Sequence, residues 1–391
     1  MSPTSAPAFD AGALAEEFPS EPGLLYFNHA GVAPWPRRAQ LAVQRFAEIN
    51  VRRGATDYAT WLSVERGLRE QLRSLINAPA ATDIALVKNT SEALSFVANG
   101  LDWRPGDRIV SAAEEFPSNR VVWQALAGKG VSLDQVRLRY DADPEADLMA
   151  ACSARTRMLA ISSVQYANGL RLDLECLGEF CRSRAILFCV DAIQSAGAVA
   201  FDAQAAQCDF AMADGHKWML GPEGLGFFFI APRVRDRIAV SEYGWHMLEN
   251  PDDFDALEWS PASSARRFEC GSPNLLAAHA LSASLSLILE LGIEAISRIN
   301  ISNSLYLIDL LRNEAKVNVL SPDRPERLAS IVTFKPRGEQ DGAALVRALR
   351  QAGVICAYRG RGVRFSPDFY QPRAMLEEGV DRLLRLMPAR A

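Results

Sequence analysis

The sequence predicts an α/β fold, in which a large domain with a mostly parallel central sheet precedes a small C-terminal α+β domain. Three observations carry this prediction. Six short apolar runs recur between residues 84 and 230: IALVKN (84–89), RIVSAA (108–113), RMLAISSV (157–164), AILFCVDA (185–192), DFAMAD (209–214) and LGFFFI (225–230). They are rich in Ile, Val, Leu and Phe and nearly continuous in hydrophobicity, as strands covered on both faces are. The stretches between them carry helical spacing. The last third then mixes short strands with helices, as α+β units do.

In chain order, an Ala/Pro/Ser-rich start predicts an N-terminal arm or short helix over residues 1–23. The large domain is expected over 24–265. Its first clear helix is WLSVERGLREQLRSLI (61–76), where Leu62, Leu68, Leu72 and Leu75 share one face. Residues 266–391 are expected as a linking helix and the small domain. The linking segment is Leu/Ala/Ile-rich from about 274 to 313. Strands are expected at LASIVTFKP (328–336), VICAY (354–358) and GVRFS (362–366), and helices at 342–353 and 374–387.

Composition excludes several functions. The 391 residues are 49% hydrophobic and 23% charged, with a net charge of −5. That is ordinary globular usage, and it argues against a general nucleic-acid binder. No run approaches the ~18 apolar residues of a membrane span, and the N-terminus does not read as a secretory signal. Seven scattered cysteines, without a CxxC pair, suggest reduced thiols and a cytoplasmic location. Four histidines without HxxxH or HExxH spacing argue against a metal site. GPEGLG (221–226) has the wrong spacing for a dinucleotide loop, and no GxxxxGK[ST] occurs.

Chemistry is expected beyond the strand C-termini, where open α/β sheets place ligands. After IALVKN, Thr90 and Ser91 open a helix, which suits a phosphate, although a simple helix cap reads as well. AILFCV ends in Asp191, an acid that needs a partner if buried. DFAMAD leads into Gly215-His216-Lys217-Trp218, and a lysine there with a lowered pKa could form a Schiff base. RIVSAA leads to Phe116, a platform for a planar ring or a core residue. Together they describe a phosphate seat, a ring platform, an acid for a ring nitrogen and an amine for an aldehyde. Pyridoxal phosphate needs those parts.

The order of motifs resembles the class V aminotransferase family of fold-type I pyridoxal-phosphate (PLP) enzymes. Within that family it looks like the group of cysteine desulfurases, selenocysteine lyases and isopenicillin N epimerases. The motifs are YFNHAGVAPWP (26–36), NTSEAL (89–94), EFPSN (115–119), SVQYANG (163–169), VDAIQSAG (190–197), DGHKWMLGPEGLG (214–226), FECGSPN (268–274) and RGRGVRFSP (359–367). The resemblance makes 24–265 the PLP-binding domain. It implies that Lys217 holds the cofactor and moves protons, that Asp191 meets the pyridine nitrogen, and that Gln194 meets the phenolic oxygen. It gives Thr90, Ser91 and His216 to the phosphate and Phe116 to the ring. It sends Ser272 to the phosphate of a neighbouring subunit, hence a homodimer with shared sites. Asn168 and Arg364 would bind the substrate carboxylate, and Asn28, His29 and Ala30 would line the substrate pocket.

Two departures from the family pattern bear on the reaction. Phe116 replaces the histidine usual in desulfurases, which removes an acid/base group. Arg359-Gly360-Arg361-Gly362-Val363-Arg364 runs straight into the carboxylate-binding arginine, where desulfurases carry a mobile loop with a catalytic cysteine. Cys356 is the nearest cysteine and reads as a buried strand residue. The resemblance thus implies an enzyme acting on an amino acid through an external aldimine, with Cα deprotonated by Lys217. An aminotransferase-like reaction leads. A C–S lyase or desulfurase-like reaction, an epimerase and a catalytically silent binding protein are the alternatives. Asp214 is expected to point away from the phosphate or to bond through His216.

Overall fold

The structure is a computed structural model that describes residues 10–140, 142–338 and 341–387. The first nine residues of the expected arm therefore lie outside it. The rest of the arm holds helix α1 (Ala11–Glu17), capped by Asp10.

The central sheet has seven strands. After β1 (Leu25–Tyr26) come β2 (Ile84–Val87), β3 (Arg108–Ala112), β4 (Ser132–Val136), β5 (Thr156–Ser162), β6 (Leu187–Asp191), β7 (Phe210–Asp214) and β8 (Gly226–Ile230). The sheet order is β2-β8-β7-β6-β5-β3-β4, and β8 runs antiparallel to both its neighbours while the other pairs are parallel. All six apolar runs are strands of this sheet. Strands β6, β7 and β8 are buried at every position, which explains their unbroken hydrophobicity. Strand β4 was not expected. It lies at the sheet edge with no fully buried residue, so SLDQV carries little apolar signal.

Helices α2 (Arg37–Arg53), α3 (Tyr58–Leu75), α4 (Thr90–Gly100), α5 (Ser118–Gln124), α6 (Pro144–Ala151), α7 (Leu174–Ser183) and α8 (Pro232–Arg235) accompany the sheet. The segment expected as one long helix is two, α9 (Leu275–Leu291) and α10 (Ile293–Arg312), bent by 82°. Gly292 breaks it with φ of 81°, a value that suits glycine. No single helix among the described residues is long and apolar enough to cross a membrane.

The remaining elements are β9 (Val317–Val319), β10 (Val332–Pro336), α11 (Gly342–Gln351), β11 (Val354–Ile355), β12 (Ala357–Arg359), β13 (Gly362–Phe365) and α12 (Arg373–Leu386). Strands β12-β13-β10-β9 form an antiparallel sheet. The run VICAY is split at Cys356, so β11 pairs with β1 and β12 pairs with β13.

Two main cores result, and they do not divide cleanly along the chain. The larger surrounds the central sheet and includes Leu281, Leu285 and Ile288 of α9. The smaller gathers Leu307, Leu311, Val332, Phe365 and Leu376, joined by Leu25 and Phe27 from the start of the chain. Helix α10 belongs to both, with Ile296 in the larger core and Leu307, Ile308 and Leu311 in the smaller. Between them, Asn300 Nδ2 donates to the Ala198 carbonyl and to Asp368 Oδ1. All seven cysteines are free thiols.

Candidate active site

The C-terminal ends of β2, β3, β6 and β7 converge on a cavity of about 380 Å3. It brings together Thr90, Ser91, Phe116, Asp191, Gln194, His216 and Lys217 from the sheet side. Asn28, Ala30, Arg359 and Arg364 close the other side.

The phosphate seat follows from local capping. Asn89, rather than Thr90 or Ser91, caps α4, and its Oδ1 accepts from the Glu92 N–H at 2.9 Å. The Thr90 hydroxyl is thereby left for a ligand. Thr90 Oγ1 is buried without a hydrogen-bond partner, and the first N–H groups of a helix have none within the helix. Ser91 Oγ donates to Ser118 Oγ at 2.8 Å, which adds Ser118, a residue the sequence reading did not single out. An orphaned hydroxyl at a helix N-terminus fits a phosphate.

Asp191 and Lys217 form the centre. Asp191 Oδ1 accepts from the Ile193 N–H at 3.0 Å, in a turn rather than as a helix cap. Burial pushes Asp191 up and Lys217 down, and each offsets part of the other's shift. The Lys217 ammonium lies 5.6 Å from the centre of the Phe116 ring, and that ring meets Tyr166 edge-on at 5.2 Å. Behind Lys217, the Gly197 backbone has φ of 96°, and a Cβ there would sit 2.2 Å from the Trp218 carbonyl. Only glycine permits that approach. Trp218 Nε1 donates to Gln194 Oε1 at 2.8 Å, and Gln194 Nε2 donates to the Ala30 carbonyl at 3.1 Å.

Asp214 faces the cavity beside His216, with Oδ1 3.1 Å from His216 Nδ1. The contact is close enough for an ion pair, although neither atom makes a well-aligned hydrogen bond.

Arg364 brings a guanidinium to the cavity wall. Its side chain is buried, Nη1 donates to the Tyr166 carbonyl at 2.8 Å, and Nη2 reaches Asn28 Oδ1 at 3.4 Å. Nε has no partner, and no carboxylate pairs with it among the described residues. Burial, then repulsion from Arg359, lowers its pKa to about 9. A desolvated guanidinium with a free donor suits a substrate carboxylate. Arg359 and Arg361 lie on or beside the two-residue turn of the β12–β13 hairpin, where Gly360 and Arg361 have φ of 57° and 62°. Positive φ at both central residues marks the tight turns that match strand twist.

Three expected site residues lie elsewhere. The Asn168 side chain is engaged in its own turn, with Oδ1 accepting from the Leu170 N–H at 3.2 Å, and it does not line the cavity. His29 sits behind the wall. Its Nδ1 donates to the Ser366 carbonyl at 2.8 Å, its Nε2 accepts from the Tyr370 hydroxyl at 2.6 Å, and its ring stacks on Trp218. Burial lowers its pKa to about 4. Ser272 lines a different cavity of about 450 Å3 with Lys88 and Cys270.

Glu65, His246 and Glu269 bring possible metal ligands within 4.8 Å of one another. Arg69 already supplies the cation there, with Nη2 at 2.8 Å from Glu65 and 2.6 Å from Glu269. A larger cavity of about 930 Å3 lies beneath α1, but it contains neither lysine nor histidine.

Known proteins share this architecture. The family Aminotransferase class-V matches residues 25–370. A probable cysteine desulfurase of Methanothermobacter thermautotrophicus is 32% identical over 281 residues, which are 70% of this chain and 69% of that protein. An isopenicillin N epimerase of Streptomyces clavuligerus is 29% identical over 336 residues, 82% and 83% of the two chains. Among solved structures, a lysine-to-alanine mutant of C-DES with glycine covalently linked to its PLP cofactor aligns with a TM-score of 0.88. It is 22% identical and covers 94% of this chain and 98% of its own, a likeness that establishes the fold. The chain belongs to the aminotransferase class V family and is a pyridoxal-phosphate-dependent enzyme of that family.

Proposed function

We propose that this enzyme removes the α-proton of an amino acid with Lys217 and returns it from the same residue, in a single-base reaction of the aminotransferase type. The observation that carries the reading is the pairing of a desolvated Lys217 with an uncompensated Arg364 across one cavity. Thr90, Ser91 and His216 hold the phosphate, Asp191 meets the ring nitrogen, Gln194 the phenolic oxygen, and Phe116 covers the ring. When bound, PLP supplies the aldehyde that links to amines and a ring that accepts the electron pair left at Cα. Arg364 fixes the substrate carboxylate with its guanidinium, and Asn28 and Ala30 form the wall beside it. Lys217, its pKa lowered by burial, is deprotonated more readily and takes the proton. Phe116 has no proton to give, which leaves an epimerase without a second base on that ring.

A C–S lyase is the second reading. The name of the Methanothermobacter relative points to cysteine as a substrate, and the cavity, into which no cysteine projects among the described residues, supports a lyase. Cys356 is buried, with its thiol pushed up to about 12 by desolvation, so it is a poor nucleophile. Sulfur would then leave directly rather than through an enzyme persulfide.

Ser272 reaches the phosphate of a second copy, in a homodimer. Its separate cavity supports this, as do Tyr243, Phe254, Leu257 and Trp259, exposed on the preceding segment. The free cysteines support a cytoplasmic location. We assign cofactor binding to the sheet unit and carboxylate binding to the small C-terminal unit.

The test is a single-turnover assay of the holoenzyme with a panel of amino acids, beside Lys217→Ala. One 2-oxo acid per site, without ammonia or sulfide, is the transamination outcome. Ammonia and sulfide from cysteine would select the lyase. Equal turnover by Lys217→Ala would refute both.

A further inference from the structure

Glu115 immediately precedes Phe116, and its carboxylate is buried beside the site without touching the cavity. Four donors converge on it. Ser162 gives its backbone N–H to Oε1 at 2.7 Å and its hydroxyl to Oε2 at 2.5 Å. Gln165 Nε2 reaches Oε1 at 2.9 Å, and Asn119 Nδ2 reaches Oε2 at 3.1 Å. The Asn119 orientation is fixed independently, because Trp123 Nε1 can only donate and it donates to Asn119 Oδ1 at 2.9 Å. The nearest neighbours of Glu115 are therefore arranged for a carboxylate anion. Burial raises its pKa on balance, and these four bonds oppose that rise and favour the anion.

The location is informative. Ser162 ends β5 directly opposite Asp191 at the end of β6. The four bonds thus tie the segment that carries Phe116 to the strand beside Asp191. They also place a second negative charge behind Asp191, in surroundings where charge is poorly screened. Glu115 is among the influences that push Asp191 toward holding a proton.

We propose that Glu115 is a positioning residue of the cofactor site, which fixes the Phe116 platform and, through its charge, strengthens proton retention between Asp191 and the cofactor's ring nitrogen. The inference rests on the assignment of Asp191 to that nitrogen. It adds a role for a residue that touches neither cofactor nor substrate.

The experiment needs no substrate. Pyridoxal phosphate is bound to wild type, Glu115→Gln and Glu115→Asp. Two signals are followed against pH: the visible band of the Lys217-linked cofactor, and the nitrogen-15 shift of a labelled cofactor ring. Removing a buried negative charge lowers proton affinity nearby, so both midpoints in Glu115→Gln should fall by roughly one pH unit. Glu115→Asp keeps the charge and should restore them. If Glu115→Gln fails to fold, the double variant Glu115→Gln/Asn119→Asp replaces it. The carboxylate introduced by the second substitution accepts from the amide introduced by the first, keeps an acceptor for Trp123, and moves the charge one hydrogen bond further from Ser162 and β5. Its midpoints should also fall, by less. A cofactor-loaded Glu115→Gln, or the double variant in its place, that titrates as wild type would overturn the proposal and reduce Glu115 to a structural clamp. Wild-type ring-nitrogen titration in Asp191→Asn would instead overturn the assignment on which it rests.

Discussion

The two sides of the cavity are built on different principles. On the sheet side, Asp191 ends a strand that is hydrogen-bonded to β5 and β7. Lys217 follows the next strand, pinned by the Gly197 approach to Trp218. On the hairpin side, Arg359 and Arg364 stand on two short strands, and β12 is the edge of its sheet. The contrast shows where freedom lies. The groups assigned to the cofactor sit where the backbone has least latitude, and the groups assigned to the substrate sit where one turn can change without disturbing the central sheet.

Three predictions strain that contrast, in decreasing order of effect. Arg364→Ala should lower kcat/KM for carboxylate substrates by roughly 100-fold or more, through KM. The cofactor stoichiometry should be unchanged. Loss of cofactor would show that the two sides are not separable.

The second concerns the seam between the sides, where His29 joins Ser366 and Tyr370 to Trp218. His29 titrates at about 4 in the fold against 6.5 outside it. The unfolded chain therefore binds more protons in that window, and stability is lost as pH falls from about 6.5 to about 4. The full effect is on the order of 3 kcal/mol. Asp368, raised to about 7 by burial, acts with the opposite sign, losing stability as pH rises from 3.8 to about 7. The measurement is thus a difference: urea unfolding of wild type minus His29→Gln between pH 4 and 7. A pH-independent difference would remove His29 from the account.

The smallest effect lies in the turn. Arg361 adopts φ of 62° without lining the cavity, so Arg361→Gly should stabilise by about 0.5–1 kcal/mol with turnover intact. A drop in turnover would make Arg361 part of the substrate site.

The sequence made the sheet side far more legible than the hairpin side. Strands buried on both faces announce themselves, and their ends pointed to Asp191, Lys217 and Thr90. Edge strand β4 was silent because SLDQV has no fully covered face. Residues 90 and 91 could be read as caps, and only the observed bond from Glu92 to Asn89 frees them. Tyr166 and Ser118 owe their places to contacts with residues 198 and 27 positions away, which no local pattern encodes. The motif pointed to Asn168, which the structure places outside the cavity lining, with its side-chain oxygen bonded in a local turn.

Helix α10 has a mechanical consequence. A helix of 20 residues is a rod about 30 Å long, and this one is embedded in one core at its start and the other at its end. A rod shared in this way acts as a beam, so the C-terminal unit is carried by a strut rather than suspended from loops. Asn300 pins that beam near its middle to both sides at once. A load on the small core is therefore borne along α10 and by the Asn300 bonds to Ala198 and Asp368, not by loops alone.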